Sequence, residues 1–215
     1  AHGAKVLHLR CVEYARRFDV PLRVRSSFTD KPGTLVVHEI EENIAMEQPI
    51  ISGVSQDLSE AKITVTAVPD LPGEAALVFE TLAGIGVNLD MIVQNVSADG
   101  STDITFTLPN ADLGAASAAL LARQEEIAFG ELLQDEGIAK VSLVGAGMRS
   151  HPGVSATFFR TLADAGVNVE MISTSEIRIS VVTRAEDAAK AVQALHTSFG
   201  LNAEGEAVVY AGTGR

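Results

Sequence analysis

Apolar and polar or β-branched positions alternate along Ile63-Thr64-Val65-Thr66-Ala67-Val68, which predicts a strand. Asp70-Leu71-Pro72-Gly73 breaks the alternation. Pro72 suits the first turn of a helix, and Asp70 is the candidate cap. The period then lengthens: Ala75, Ala76, Phe79, Leu82 and Ala83 share one helical face. Gly86 stands where a helix ends through a left-handed residue. Residues 88–96 read as a returning strand, Asp99-Gly100 as a hairpin turn and residues 102–108 as its partner. An alanine-rich helix is predicted over 112–126 and a short strand at Leu132-Leu133. The order is βαββαβ.

The pattern then recurs. Shifted by 80 residues, positions 72–92 match 152–172 at 12 of 21 places without a gap. The matches include Pro72-Gly73 with Pro152-Gly153, Gly86-Val87-Asn88 with Gly166-Val167-Asn168, and Met91-Ile92 with Met171-Ile172. A duplicated unit is therefore expected before any other question is asked. In the second copy, strands are predicted at 141–144, 167–172, 177–182 and 207–210, with helices at 152–165 and 185–199. A split βαβ of this kind folds as an antiparallel sheet with both helices on one face, so the predicted class is α+β with two ferredoxin-like units.

Residues 1–45 fall outside the repeat. A strand at 5–9, a helix at 11–18, a strand at 22–25 and a turn at Asp30-Lys31-Pro32-Gly33 read as a βαβ piece of another domain. Glu39, Glu41, Glu42 and Glu47 mark a linker, and Ile50-Ile51-Ser52-Gly53-Val54 an additional strand that docks on one repeat.

Charge narrows the partners. The chain carries a net charge of −12, and almost all of the excess acid lies beyond residue 45. That field repels phosphate backbones and anionic lipid, so neither nucleic acid nor a membrane is expected as partner. Cys11 is the single cysteine, which excludes a disulfide framework and multi-cysteine metal sites; no metal site is expected. No apolar run approaches the roughly 20 residues of a membrane span, and the N-terminus has no signal-peptide pattern. A soluble, cytoplasmic chain is expected. The absence of an initial methionine suggests a fragment or a processed product.

The repeated Pro-Gly bend carries the candidate chemistry. A helix start offers unpaired N–H groups and partial positive charge to a carboxylate, and glycine permits close approach. Asp70, Gln94 and Asn95 in the first unit, and Ser173, Ser175 and Glu176 in the second, stand at neighbouring strand tips as acceptors for an ammonium group. Together these suit a free amino acid. Pro-Gly is equally a plain helix entry. Gly145-Ala146-Gly147 lacks the third glycine of a dinucleotide loop, because position 150 is Ser150. His151 is read as a solvated loop residue, Met91 and Met171 as core filling, and Phe158 and Phe159 as core and subunit contact.

These residues resemble a known family. Strand, Asp-x-Pro-Gly, helix, Gly-Val-Asn and then Asp/Glu-Met-Ile is similar to the ACT domain, a small amino-acid-sensing module. The tandem pair resembles the regulatory half of aspartokinases, notably in Ile92-Val93-Gln94-Asn95-Val96-Ser97, Lys140-Val141-Ser142-Leu143-Val144-Gly145-Ala146-Gly147-Met148 and Ile172-Ser173-Thr174-Ser175-Glu176-Ile177. Gly3 to His8 and Val24 to Phe28 resemble the end of the catalytic domain, and Met46-Glu47 sits where some relatives have an internal start. The resemblance implies a catalytic-domain remnant with linker over 1–45, a first ACT domain over 60–136, and a second formed by 46–59 plus 137–215. The chain is then a separate regulatory subunit with an upstream extension, or a fragment of the full enzyme.

Further expectations follow from the resemblance. ACT units pair side by side, often between chains, so a homodimer is implied, with the catalytic aspartokinase subunit as a further partner. A threonine site is implied from Asp70, Gly73, Ala75 and Gln94 with Asn168 and Val169 of the partner subunit. A mirror-related effector site is implied from Gly153, Ser173, Ser175 and Glu176 with Asn88 and Asp90. Lysine is the candidate there, its ε-ammonium facing Asp90 or Glu176. Feedback inhibition of the lysine, threonine and methionine pathway is the implied role. The alternative is a constitutive assembly subunit that uses ACT pairing without a ligand. ATP and magnesium are expected only for the intact kinase. This chain by itself has no catalytic residues and no cofactor in that reading.

Overall fold

The computed structural model describes residues 6–36, 50–97, 100–146 and 152–202. The chain divides into two compact units, Ala1–Gln48 and Pro49–Arg215. In the smaller unit, α1 (Leu9–Arg17) ends with Arg16 and Arg17, whose charges favour a helix C-terminus. β1 (Leu22–Val24) and β2 (Thr34–Val36) form an antiparallel pair. Gly33 turns between them at φ 73°, and a Cβ there would lie 2.1 Å from the Val24 carbonyl oxygen, so only glycine fits. The strand expected at 5–9 is corrected: Val6 to His8 are irregular and Leu9 already opens the helix. Leu9, Val12 and Ala15 recur at helical spacing, and that period overrides the short apolar run before it.

The larger unit holds two four-stranded antiparallel sheets. The first has the order β5 (Ile92–Val96), β6 (Ser101–Pro109), β4 (Glu60–Pro69), β7 (Leu132–Asp135). Helices α2 (Glu74–Gly84), α3 (Leu113–Ala122) and the short α4 (Gln124–Ile127) belong to this repeat. The second has the order β3 (Ile50–Asp57), β8 (Ile138–Ala146), β10 (Arg178–Arg184), β9 (Met171–Thr174), with α5 (Pro152–Asp164) and α6 (Ala188–Ser198). The two repeats thus share one plan, and they are ferredoxin-like α+β units. β3 runs antiparallel to β8, where the first repeat has β7 beside β4. The strand expected at 207–210 and the turn residue Asp99 lie outside the described residues.

Alternation explains the cores. Ala61, Ile63, Val65, Ile104, Phe106 and Leu108 turn to one side and pack with Val78, Leu82, Ala116 and Leu120 of α2 and α3. Ala139, Val141, Leu143, Ile179 and Val181 do the same with Phe158, Leu162, Ala191 and Leu195. Phe158 is core, and the half-buried Phe159 packs beside it, rings 5.3 Å apart and edge to face. Burial of these faces supplies the main stabilisation.

The opposite faces carry Lys62, Thr64, Thr105 and Thr107 in the first sheet, and Ile138, Lys140, Ser142, Ser180 and Val182 in the second. Hydroxyl pairs cross each face, Thr64 with Thr105 at 2.9 Å and Ser142 with Ser180 at 2.7 Å. The sheets meet here. Met91, Ile138, Met171 and Val182 form one buried cluster with Val93 packed against it. The two methionines therefore fill a core that belongs to both repeats. No helix among the described residues is long and apolar enough to cross a membrane.

Candidate functional site

Each repeat presents a helix entrance at one end of its sheet. In the first, the Asp70 N–H donates to the Gly100 carbonyl at 3.0 Å, tying the turn to the β5–β6 hairpin. Gly73, not Asp70, is the cap of α2; it has φ 107° and no side-chain cap bond is made. The expectation for Asp70 as cap is corrected: a left-handed glycine starts the helix and leaves Asp70 exposed. In the second repeat α5 starts at Pro152 itself, so Gly153 lies within its first turn. The same dipeptide thus enters two helices in two ways. Among the described residues, a Cβ on either Gly73 or Gly153 would meet no atom within 4 Å.

Other predicted residues lie on β5 and on the β9–β10 hairpin. Gln94 is exposed on β5 opposite Ile104, and half-buried Ala75 packs on the first core. Ser173 faces Ser180 across the β9–β10 pair. The Ser175 N–H donates to the Arg178 carbonyl at 2.7 Å and closes the turn that carries exposed Glu176.

The asparagine loops lie at the other end. Asn88 and Asn168 are exposed, and the Asn168 carbonyl accepts from Thr183 Oγ1 at 2.8 Å. Leu89 and Val169 pack into the core of their own repeat. The next backbone N–H is held in both: Asp90 donates to the Thr107 carbonyl at 3.1 Å, and Glu170 to the Val182 carbonyl at 2.8 Å. Residues 88–91 and 167–170 are not strand, although strands were expected from 88 and 167. Their apolar side chains serve core contacts, while ladder pairing begins only at Ile92 and Met171.

Neither implied set is assembled within one chain. Asp70 and Gly73 follow the Ser101 end of the β4–β6 ladder and Gln94 stands opposite Ile104 near the middle of β6, whereas Asn168 stands near Glu170, which Lys62 bonds. From Lys62 to Asp70 the strand covers roughly 25 Å. Likewise Asp90 is bonded by Lys140, and Ser173 to Glu176 lie toward the Gly145 end of β8, roughly 15 Å further along.

Charge is concentrated between the repeats. The Asp90 carboxylate is 2.5 Å from Lys140 Nζ, and its side chain stays 34% exposed. Lys140 also bonds Glu60, and its side chain is 6% exposed. Burial alone would lower the Lys140 pKa, but Asp90 and Glu60 outweigh it and hold it above the ordinary lysine value. Lys62 bonds Glu170. Arg184 lies 2.5 Å from Asp135 and 3.3 Å from Glu170. The Arg184 hydrogen bond holds the Asp135 carboxyl below the usual range, against the opposing effect of burial and with help from the Gly137 N–H.

Sequence reasoning missed Lys62 and Lys140. The available signal was a single lysine among apolar neighbours in each strand, Ala61-Lys62-Ile63 and Ala139-Lys140-Val141. A charge so placed is expected to be paired.

The ACT domain family matches this chain twice, over residues 63–124 and 141–199. The aspartokinase of Mycolicibacterium smegmatis is 58% identical over 217 residues, covering 100% of this chain and 51% of that protein. The chain spans about half the length of the curated relatives it matches. The regulatory subunit of aspartate kinase from Thermus thermophilus, in its ligand-free form, is 42% identical with a TM-score of 0.67. The match covers 70% of this chain and 99% of that one. The E. coli aspartokinase III in complex with lysine and aspartate, in its T-state, is 25% identical with a TM-score of 0.68. That match covers 90% of this chain and 42% of the E. coli chain.

Proposed function

This chain belongs to the aspartokinase family through its pair of ACT regulatory units, and we propose that it senses threonine, with lysine as the second effector, for feedback control of aspartate kinase. Threonine takes its carboxylate to the helix entrance at Gly73 and its polar groups to Asp70 and Gln94, with Ala75 alongside. Asn168 and Val169 of a second copy close that site. The second effector takes Gly153, Ser173, Ser175 and Glu176, closed by Asn88 and Asp90 of the second copy. Residues 60–136 make the first unit and 46–59 plus 137–215 the second. Residues 1–45 are the tail and linker of the catalytic domain, so the chain alone does not phosphorylate aspartate. The intact cytoplasmic enzyme holds the catalytic apparatus and uses ATP and magnesium.

One observation carries this reading. No described atom crowds a Cβ position at either glycine, while the matching asparagine loops lie at the far ends of the sheets. A site that needs both ends is completed only by another copy of the chain. A ligand there shifts the arrangement by its differential affinity for two states, typically about 1–3 kcal/mol of coupling. It also strengthens the dimer by mass action.

Sedimentation velocity and calorimetry test this together. Threonine is expected to release or absorb heat and to tighten self-association. Gln94→Ala is expected to weaken binding about tenfold with the melting temperature of the free protein unchanged. Absence of heat with any of the twenty amino acids would leave only a constitutive assembly role.

A further inference from the structure

The two inter-repeat lysines occupy the same place in their repeats. Lys62 pairs with Thr107, whose N–H bonds the Met91 carbonyl. Lys140 pairs with Val182, which pairs with Met171. Each lysine therefore stands across the third strand from the methionine that follows an acidic residue. Lys62 lies 3.8 Å from Asp135 of its own repeat, but the acid before each methionine is bonded by the lysine of the other repeat. Lys62 of the first bonds Glu170 of the second, and Lys140 of the second bonds Asp90 of the first. The exchange is reciprocal.

Three consecutive residues in each loop have three different settings, two of them anchored. Asn88 and Asn168 are exposed at the tip. Leu89 and Val169 are fixed in the core of their own repeat. Asp90 and Glu170 are bonded by the lysine of the opposite repeat, Glu170 also by Arg184 of its own. An asparagine in such a loop cannot shift without moving a core side chain on one side or an ion pair on the other.

We infer that Lys62 and Lys140 are positioning residues for the two effector loops, each setting the loop of the other repeat and so coupling the two sites crosswise. The loops' role as effector loops rests on the proposed function above; their crosswise anchoring does not. The pairs differ in setting. The Lys140 side chain is 6% exposed and has Glu60 as a second partner, whereas Lys62 and Glu170 are 19% and 18% exposed, and Glu170 also takes Arg184. Removing Lys140 leaves two carboxylates unpaired, with Glu60 deeply buried, and endangers the fold. Lys62 is the safer probe.

Amide hydrogen exchange on the full chain reads the anchoring without any ligand. Lys62→Gln is expected to raise exchange of the Glu170 amide about tenfold and to leave the Asp90 amide within twofold. Lys140→Gln, where it folds, gives the reverse. Ile179→Val, a core control in the second repeat, raises exchange without that contrast between the loops. Threonine calorimetry reads the consequence: Lys62→Gln weakens binding about tenfold through Asn168, and Lys62→Arg restores it. Equal changes at both loops, or a change in Lys62→Gln no larger than in Ile179→Val, would overturn the inference. Silence of the unaltered chain towards threonine would defeat the proposed function alone, since the exchange pattern still decides the positioning.

Discussion

Truncating the two shared methionines measures how firmly the sheets are joined. Met91 and Met171 are 2% and 5% exposed and touch Ile138 and Val182, which are 1% and 0% exposed. Met91 comes from the first repeat and Met171, Ile138 and Val182 from the second, so the cluster bridges the two sheets. Met91→Ala or Met171→Ala removes buried apolar surface and leaves a cavity, for about 2–3 kcal/mol each. For a unit of this size that lowers the melting temperature by roughly 5–10 °C. The double variant tests the geometry. Two deletions in one cluster let the remaining side chains collapse into a common space, so the combined loss should fall short of the sum by at least about 0.5 kcal/mol. The chain has no tryptophan, so urea unfolding is best followed by far-ultraviolet circular dichroism. Losses below about 1 kcal/mol, or additivity within about 0.3 kcal/mol, would refute a cluster shared between the repeats.

Acid should probe the neighbouring ion pair. The Asp135 carboxyl is held low in the folded state, chiefly by Arg184. Its contribution is fully present above the unfolded carboxylate value of about 3.9 and is lost as pH falls through the folded value. The stability difference between the unaltered chain and Asp135→Asn should therefore be constant near neutrality and shrink below pH ~4; a difference that persists at pH ~2 would contradict this. Gly153→Ala adds a Cβ to the first turn of α5 where no atom lies within 4 Å, so unfolding should show no loss and a gain of up to about 1 kcal/mol. Calorimetry should meanwhile show lost binding of the second effector, and retained affinity would remove Gly153 from that site.

Much of the fold could be read from periods of two and 3.6 along the chain. The strand at 63–68 and the helix at 75–83 follow from side-chain pattern alone, because one face of each is buried. The errors have local causes. Asp70 has the chemistry of a cap, but Gly73 can adopt a backbone that aspartate seldom does, and it takes the position. In the Asn-x-acid-Met loops the apolar residues contact cores without pairing, so alternation imitates a strand that starts about four residues late. Pro-Gly is repeated in sequence but not in conformation, since one pair precedes its helix and the other begins it. The lysine–carboxylate exchange was not legible. It joins Lys62 to Glu170 and Lys140 to Asp90, residues brought near only after two separate sheets have stacked.

The placement of β3 has a consequence for biosynthesis. This strand leaves the ribosome before the first repeat, yet its hydrogen-bonding partner β8 emerges only after that repeat is complete. At about 5–20 residues per second the nascent β3 waits several seconds, and the first repeat can close meanwhile. The entropic penalty of the long closure grows only slowly with the intervening length. The repeats are consequently clasped, not strung like beads. A gene cut between them would yield one self-sufficient module and one sheet with β8 bare along an edge, open to adhesion with any other strand.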